Sequence, residues 1–134
     1  MRALIVEDDF VSRRIMHKYL SIYGECDIAV DGQEAVDAFK LAWEQSNPYD
    51  LICMDIMMPN LNGQDALRCI RDLEKQLNVG AKEVKVIMTT ALNDKKQVME
   101  AFYEGGASSY FVKPIQRDKF MAELHTLGLI GLEE

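Results

Sequence analysis

The chain has 134 residues, 49% of them hydrophobic, enough for one core without disulfides and too short for a second domain. Its formal net charge of −7, with Lys and Arg scattered apart from the pairs Arg13-Arg14 and Lys95-Lys96, argues against direct nucleic-acid binding. Cys26, Cys53 and Cys69 show neither CxxC nor CxxH spacing, and no apolar run approaches the ~20 residues of a membrane span, so a soluble cytoplasmic protein with reduced thiols and no membrane partner is expected.

The first apolar run, Ala3 to Val6, is too short for a helix and reads as a strand that ends in the acids Glu7, Asp8 and Asp9. A helix follows, with Ile15, Met16, Tyr19, Leu20 and Ile22 at helical spacing and a stop at Gly24. Cys26 to Val30 is the second strand. Asp31 then caps a second helix, Glu34 reaches back to it, and Ala35, Val36, Phe39 and Ala42 face inward. Leu51 to Met54 is the third strand, closed by Asp55, after which Pro59, Asn60, Asn62 and Gly63 are turn chemistry. A third helix begins after Asn62 with Ala66, Leu67, Ile70, Leu73 and Leu77 on one stripe. Val84 to Met88 is the fourth strand, and a fourth helix after Asn93-Asp94 carries Val98, Ala101 and Phe102 to Gly105-Gly106. Ser109 to Val112 is the fifth strand, before a helix holding Phe120, Met121, Leu124 and Leu127.

Strand and helix alternate five times, which implies an α/β doubly wound (βα)5 sandwich: a five-stranded parallel sheet with helices on both faces. Ligands of such folds bind at the carboxyl ends of the strands. That edge collects Glu7, Asp8 and Asp9 after the first strand, Asp55 after the third, Thr89-Thr90 after the fourth and Lys113 after the fifth. Carboxylates ~5 Å apart repel by ~3 kcal/mol per pair at an effective dielectric near 20, so the cluster calls for a cation. All-oxygen ligands favour Mg²⁺, with Mn²⁺ able to replace it. A hydroxyl and an ammonium beside the acids would hold the oxygens of a phosphoryl group, with Asp55 as nucleophile.

The segments "LIVEDDFVSRR", "MDIMMPNLNG", "VIMTTA" and "YFVKP" resemble, in order and over essentially the whole chain, the signature segments of the response-regulator receiver domain, the CheY-like family of two-component signalling. The resemblance implies strand order 2-1-3-4-5 and transfer of phosphate to Asp55 from the phosphohistidine of a sensor histidine kinase or phosphotransfer protein. It implies Mg²⁺ held by Asp8, Asp55 and the backbone carbonyl of Met57, with Glu7 acting through water. Thr90 and Lys113 would contact the phosphoryl oxygens, Tyr110 would move with Thr90 as a switch, and the bond before Pro114 would be cis. A downstream protein would read the switch on the face of the fourth helix, fifth strand and fifth helix. Such a protein is a phosphoacceptor that catalyses only its own phosphorylation and dephosphorylation, not an enzyme of a broader kind.

Matching Arg13 and Arg14 to the family's first helix makes Glu7 and Asp8 the metal pair and Asp9 a helix N-cap or first-turn acid; the competing register pairs Asp8 with Asp9. A haloacid-dehalogenase-type phosphatase would need a second acid where Met57 stands, and a dinucleotide binder would need a Gly-rich loop after the first strand. A pseudo-receiver would lack an acid, Thr or Lys from the set. His17 and His125 lie far from the acids, Trp43 reads as packing, and Met54, Met57 and Met58 read mostly as core, with Met57 also placed to screen water from Asp55. Residues 1–127 are expected to be the receiver domain and 128–134 a short tail, with no output domain attached, so output would be a protein contact or a phosphate relay.

Overall fold

The apolar runs of the central strands fold as they do because both of their faces are buried in core layers. The computed structural model of the protein describes residues 1–91 and 106–131. Strands β1 (Arg2–Val6), β2 (Glu25–Ala29), β3 (Leu51–Asp55), β4 (Lys85–Thr90) and β5 (Ser109–Val112) pair in parallel. Their order is β2-β1-β3-β4-β5, as expected. The central strand β3 is buried at all five positions, whereas the edge strand β2 buries only Ala29. This is why "LICM" reads as an unbroken apolar run and "ECDIA" does not.

Among the described residues four helices connect or follow the strands: α1 (Phe10–Leu20), α2 (Gly32–Glu44), α3 (Gly63–Leu77) and α4 (Arg117–Thr126). The fourth helix expected from Val98, Ala101 and Phe102 lies outside the described residues, so α4 corresponds to the fifth helical pattern of the sequence. Each of the first three helices begins where a side-chain oxygen accepts a backbone N–H that has no partner inside the helix. Asp9 accepts from Ser12, Asp31 from Glu34 and Asn62 from Asp65, at 2.8, 2.8 and 2.9 Å. Glu34 reaches back to the Val30 N–H at 3.1 Å, which completes a reciprocal cap.

Strand alternation sorts the core into two layers. Leu4, Val6, Ile52, Met54, Val86 and Met88 face α2 and α3 through Phe39, Leu67 and Ile70. Ala3, Ile5, Leu51, Cys53 and Ile87 face α1 and α4 through Met16, Leu20, Phe120 and Leu124. Phe111 meets Phe120 edge-on with ring centroids 5.6 Å apart. Leu129 and Ile130, assigned to the tail by sequence, pack against this second layer.

Three apolar residues read as inward are exposed: Ile15, Ile22 and Leu77. α1 covers the sheet near its edge and needs only the narrow stripe of Met16 and Leu20. The helix ends at Leu20, which leaves Ile22 in the link to β2, and Leu77 falls in the last turn of α3, beyond the sheet. α3 is tied down differently. Its buried Glu74 accepts from the Val84 N–H at 2.6 Å and from Arg71 at 2.7 Å, and Arg71 also donates to the carbonyls of Val84 and Gly106. One ion pair thus fixes α3 to the entries of β4 and β5.

Candidate phosphoryl-acceptor site

Residues two positions beyond core-facing strand residues emerge on the same face of the sheet. Glu7 follows Ile5, Asp55 follows Cys53 and Lys113 follows Phe111, so the α1/α4 side receives all three at the carboxyl edge. Lys113 Nζ lies 2.5 Å from Glu7 Oε1 and 3.1 Å from Asp55 Oδ2. The other Asp55 oxygen, Oδ1, accepts the Met57 N–H at 3.1 Å. Glu7 Oε2 accepts the Asp9 N–H at 3.2 Å, and Arg13 donates to the Glu7 carbonyl. Glu7 and Asp55 are buried, while Asp8 is exposed at the rim.

One carboxylate oxygen each from Glu7, Asp8 and Asp55 lies within 4.8 Å of the others. Asp9 is turned away: its carboxylate caps α1, and the Ser12 N–H holds it below its ordinary value of 3.8. The structure therefore brings together the Glu7–Asp8 pair and gives Asp9 the structural role. The donor set suits a hard divalent cation, because it consists of carboxylate oxygens, carries net negative charge after Lys113 is counted, and reaches solvent at Asp8. Mg²⁺ fits it.

Burial pushes the Glu7 carboxyl up from 4.5 to about 7; the Lys113 ammonium opposes this and the Asp55 charge adds to it. Burial alone would lower Lys113, but its bond to Glu7 and the charge of Asp55 outweigh that and hold it above 10.5. The folded protein thus keeps a proton on Glu7 that the unfolded chain releases between about pH 4.5 and 7. The stabilisation from that proton is complete below pH 4.5 and is lost as pH rises through about 7. Without divalent cation, the melting temperature should fall across this window. Mg²⁺ binding should strengthen over the same window and level off above it, because the cation competes with the proton. A melting temperature that rises from pH 5 to 7, or a Mg²⁺ affinity independent of pH there, contradicts this assignment.

The remaining predicted residues are placed as follows. Thr90 ends β4 and is buried, one position past Thr89, which pairs in register with Asp55. Tyr110 pairs with Met88 on the adjacent strand and is partly exposed. By alternation Thr90 shares the sheet face of Met88 and Tyr110, opposite to that of Phe111. The Lys113-Pro114 peptide is cis. Met54 and Met58 belong to the core, but the Met57 side chain is 54% exposed, since it starts the loop that leaves the sheet. His17 is exposed and Trp43 packs on the first core layer, as read from sequence.

One surface escaped the sequence reading. Phe10, Val11, Ile15 and Ile28 are exposed with Arg14, beside the half-buried Arg13, around a shallow groove on α1. The Arg13 and Arg14 guanidinium groups lie 5.6 and 5.7 Å from the Phe10 ring centroid. A signal was present: Phe10 and Val11 directly follow the capping Asp9, where a helix embedded in the core would show polar residues on one side.

Among the described residues no helix is long and apolar enough to cross a membrane. The family model of the response regulator receiver domain matches residues 3–125. Chemotaxis protein CheY of Treponema pallidum (strain Nichols) is 35% identical over 125 residues, covering 92% of this chain and 79% of that protein. Probable histidine kinase 2 of Oryza sativa subsp. indica is 32% identical over 135 residues, and the chain spans 93% of its own length but only 12% of the kinase's. Of solved structures, the CheX-CheY-BeF3-Mg+2 complex from Borrelia burgdorferi contains a chain that superposes with a TM-score of 0.81. It is 26% identical, and the match covers 97% of this chain and 90% of that one. The chain belongs to the response regulator receiver domain family, a family of two-component signalling modules and not of conventional enzymes.

Proposed function

We propose that Asp55 accepts a phosphoryl group from a phosphohistidine carried by a sensor histidine kinase or a phosphotransfer protein. The observation that carries this reading is the pair of contacts on the Asp55 carboxylate: Lys113 on Oδ2 and the Met57 N–H on Oδ1, beside two further acids. An Asp55 oxygen attacks phosphorus, an O–P bond forms, and the P–N bond breaks with its electron pair leaving on the imidazole nitrogen. Lys113 lies where it can shift from the acids to the phosphoryl oxygens as negative charge is redistributed onto them. Thr90, whose side chain alternation puts on the opposite face of the sheet, supplies a hydroxyl to another of those oxygens by swinging over the strand end. Asp8, Asp55 and the Met57 carbonyl would hold Mg²⁺, with Glu7 acting through water, and the cation would neutralise the phosphoryl oxygens. The same oxygen ligands would accept Mn²⁺ in its place. The chain promotes its own phosphorylation and dephosphorylation and turns over no other substrate.

The donor docks on the exposed α1 surface. Phe10 lies two residues past Asp8, so a protein that reaches Asp55 from this side covers the apolar patch, and the acidic remainder of the chain leaves Arg13 and Arg14 to choose an acidic partner. Output leaves by the face built from the predicted fourth helix, β5 and α4, with Thr90 and Tyr110 as the coupled pair on one side of the sheet. A shift from 1:99 to 99:1 needs about 5.5 kcal/mol, which a few charge-assisted hydrogen bonds to phosphate can supply.

Wild-type protein given acetyl phosphate and Mg²⁺ should gain the mass of one phosphoryl group, mapped to Asp55. Beryllofluoride with Mg²⁺ should shift the NMR resonances of Asp55, Thr90 and Tyr110 and those of residues 93–104. No mass gain would end the acceptor reading, and shifts confined to the acidic cluster would end the switch.

A further inference from the structure

We propose that Asp31 and Asn60 are a positioning pair: their hydrogen bond clamps the loop between β3 and α3 and thereby sets the divalent-cation affinity of a cluster that neither residue belongs to. The proposal rests on the reading of Glu7, Asp8 and Asp55 as a Mg²⁺ site with Met57 contributing its carbonyl.

The loop is held at both ends. On the sheet side, the Ile56 N–H donates to the Thr89 carbonyl and the Gly63 N–H to the Ile56 carbonyl, each at 2.9 Å. On the far side, Asn60 Nδ2 donates to Asp31 Oδ2 at 2.7 Å, and the Gly32 N–H donates to the Leu61 carbonyl at 2.9 Å. Met57 lies between these two attachments, three residues from Asn60, and its N–H orients Asp55. The first turn of α2 therefore controls a segment that reaches the acidic cluster, although α2 itself packs on the opposite face of the sheet.

The chemistry of the pair is specific. Asp31 is buried, and its two oxygens do different work: Oδ1 caps α2 through the Glu34 N–H, while Oδ2 takes the Asn60 amide. Both bonds favour the ionised carboxylate, which is held below its ordinary 3.8. Asn60 has φ 65°, in the left-handed region that Asn tolerates better than other side chains except Gly. Gly32 is also restricted, because a Cβ there would meet the Leu61 carbonyl oxygen at 2.1 Å. A loop free of this clamp would keep its sheet attachment but lose the constraint that fixes Met57 between two points. Partners that orient ligands in this way are commonly worth about 10–100-fold in metal affinity.

Three variants of the full chain test the pair. Asn60→Gly keeps the backbone conformation and the Asp31 charge but removes the donor. Asp31→Asn keeps an N-cap oxygen but turns an amide toward the Asn60 amide. The exchange Asp31→Asn with Asn60→Asp restores a donor facing a carboxylate and leaves the net charge unchanged. Calorimetric titration with MgCl2 should show each single variant about tenfold weaker than wild type and the exchange within about threefold of it. In metal-free protein, amide exchange at Met57 and Gly32 should quicken in the single variants and slow again in the exchange. Wild-type Mg²⁺ affinity in Asn60→Gly, or an exchange variant no better than the singles, overturns the proposal. If wild type binds no Mg²⁺, the metal reading fails, and Met57 amide exchange alone then decides whether the clamp positions the loop.

Discussion

Asp55→Asn protein incubated with acetyl phosphate and Mg²⁺ will gain no phosphoryl mass, whereas the wild type will gain one hydroxylamine-labile group. The substitution preserves shape and removes the nucleophile: an amide oxygen can still accept the Met57 N–H, but an amide attacks phosphorus far too weakly to compete. Loss should be complete, because the described residues place no other carboxylate in contact with Lys113 except Glu7, whose own carboxyl is raised to about 7 by burial. Thr89 provides the internal control. It faces Asp55 in register, and a phosphoryl group trapped there would resist hydroxylamine as an ester. A labile group that persists in Asp55→Asn would show that another acid is the acceptor.

Lys113→Met should separate two properties that the wild type combines. Its ammonium contacts Glu7 and Asp55 at once, so it neutralises the acids and competes with any cation for their oxygens. Replacement by an uncharged chain of similar length removes one positioned donor to the developing charge, a change commonly worth about 10²–10³-fold in rate. Phosphorylation by acetyl phosphate should slow by that factor. Mg²⁺ binding should become tighter at a pH high enough to ionise Glu7, whose carboxyl loses the lowering effect of Lys113 in the variant, since a competing positive charge is gone. Slower phosphorylation with weaker Mg²⁺ binding would mean that Lys113 organises the acids more than it opposes the cation. An unchanged rate would remove Lys113 from the mechanism.

The site and the fold were legible in the sequence to different depths. The strands and the Asp31 cap could be read locally, because a buried parallel strand needs a continuous apolar run and a helix start needs an oxygen at one position: Leu51–Met54 and Asp31 required no partner to be recognised. Edge positions were harder. Ile15, Ile22 and Leu77 match helical spacing, but burial depends on how far the sheet extends beneath them, which spacing does not encode. The same blindness hid the α1 patch, since exposed and buried apolar residues are written with the same letters.

Order along the chain and residue type determined that Glu7 and Asp8, Asp55, Thr90 and Lys113 mark the ends of the first, third, fourth and fifth strands, because strand ends are marked by where the apolar runs stop. Which oxygen meets which nitrogen was a matter of three dimensions. Lys113 is 106 residues from Glu7 and 58 from Asp55 in the chain, and their contacts exist only because β1, β3, β4 and β5 lie side by side in register. The separation of Asp9 from the acidic cluster likewise came from the direction in which α1 leaves the sheet, which turns its carboxylate onto the Ser12 N–H. The link from Asp31 to Asn60 joins two residues that read locally as a cap and a turn. Local rules assign each of them one partner, and only the packing of α2 beside the β3–α3 loop provides the second.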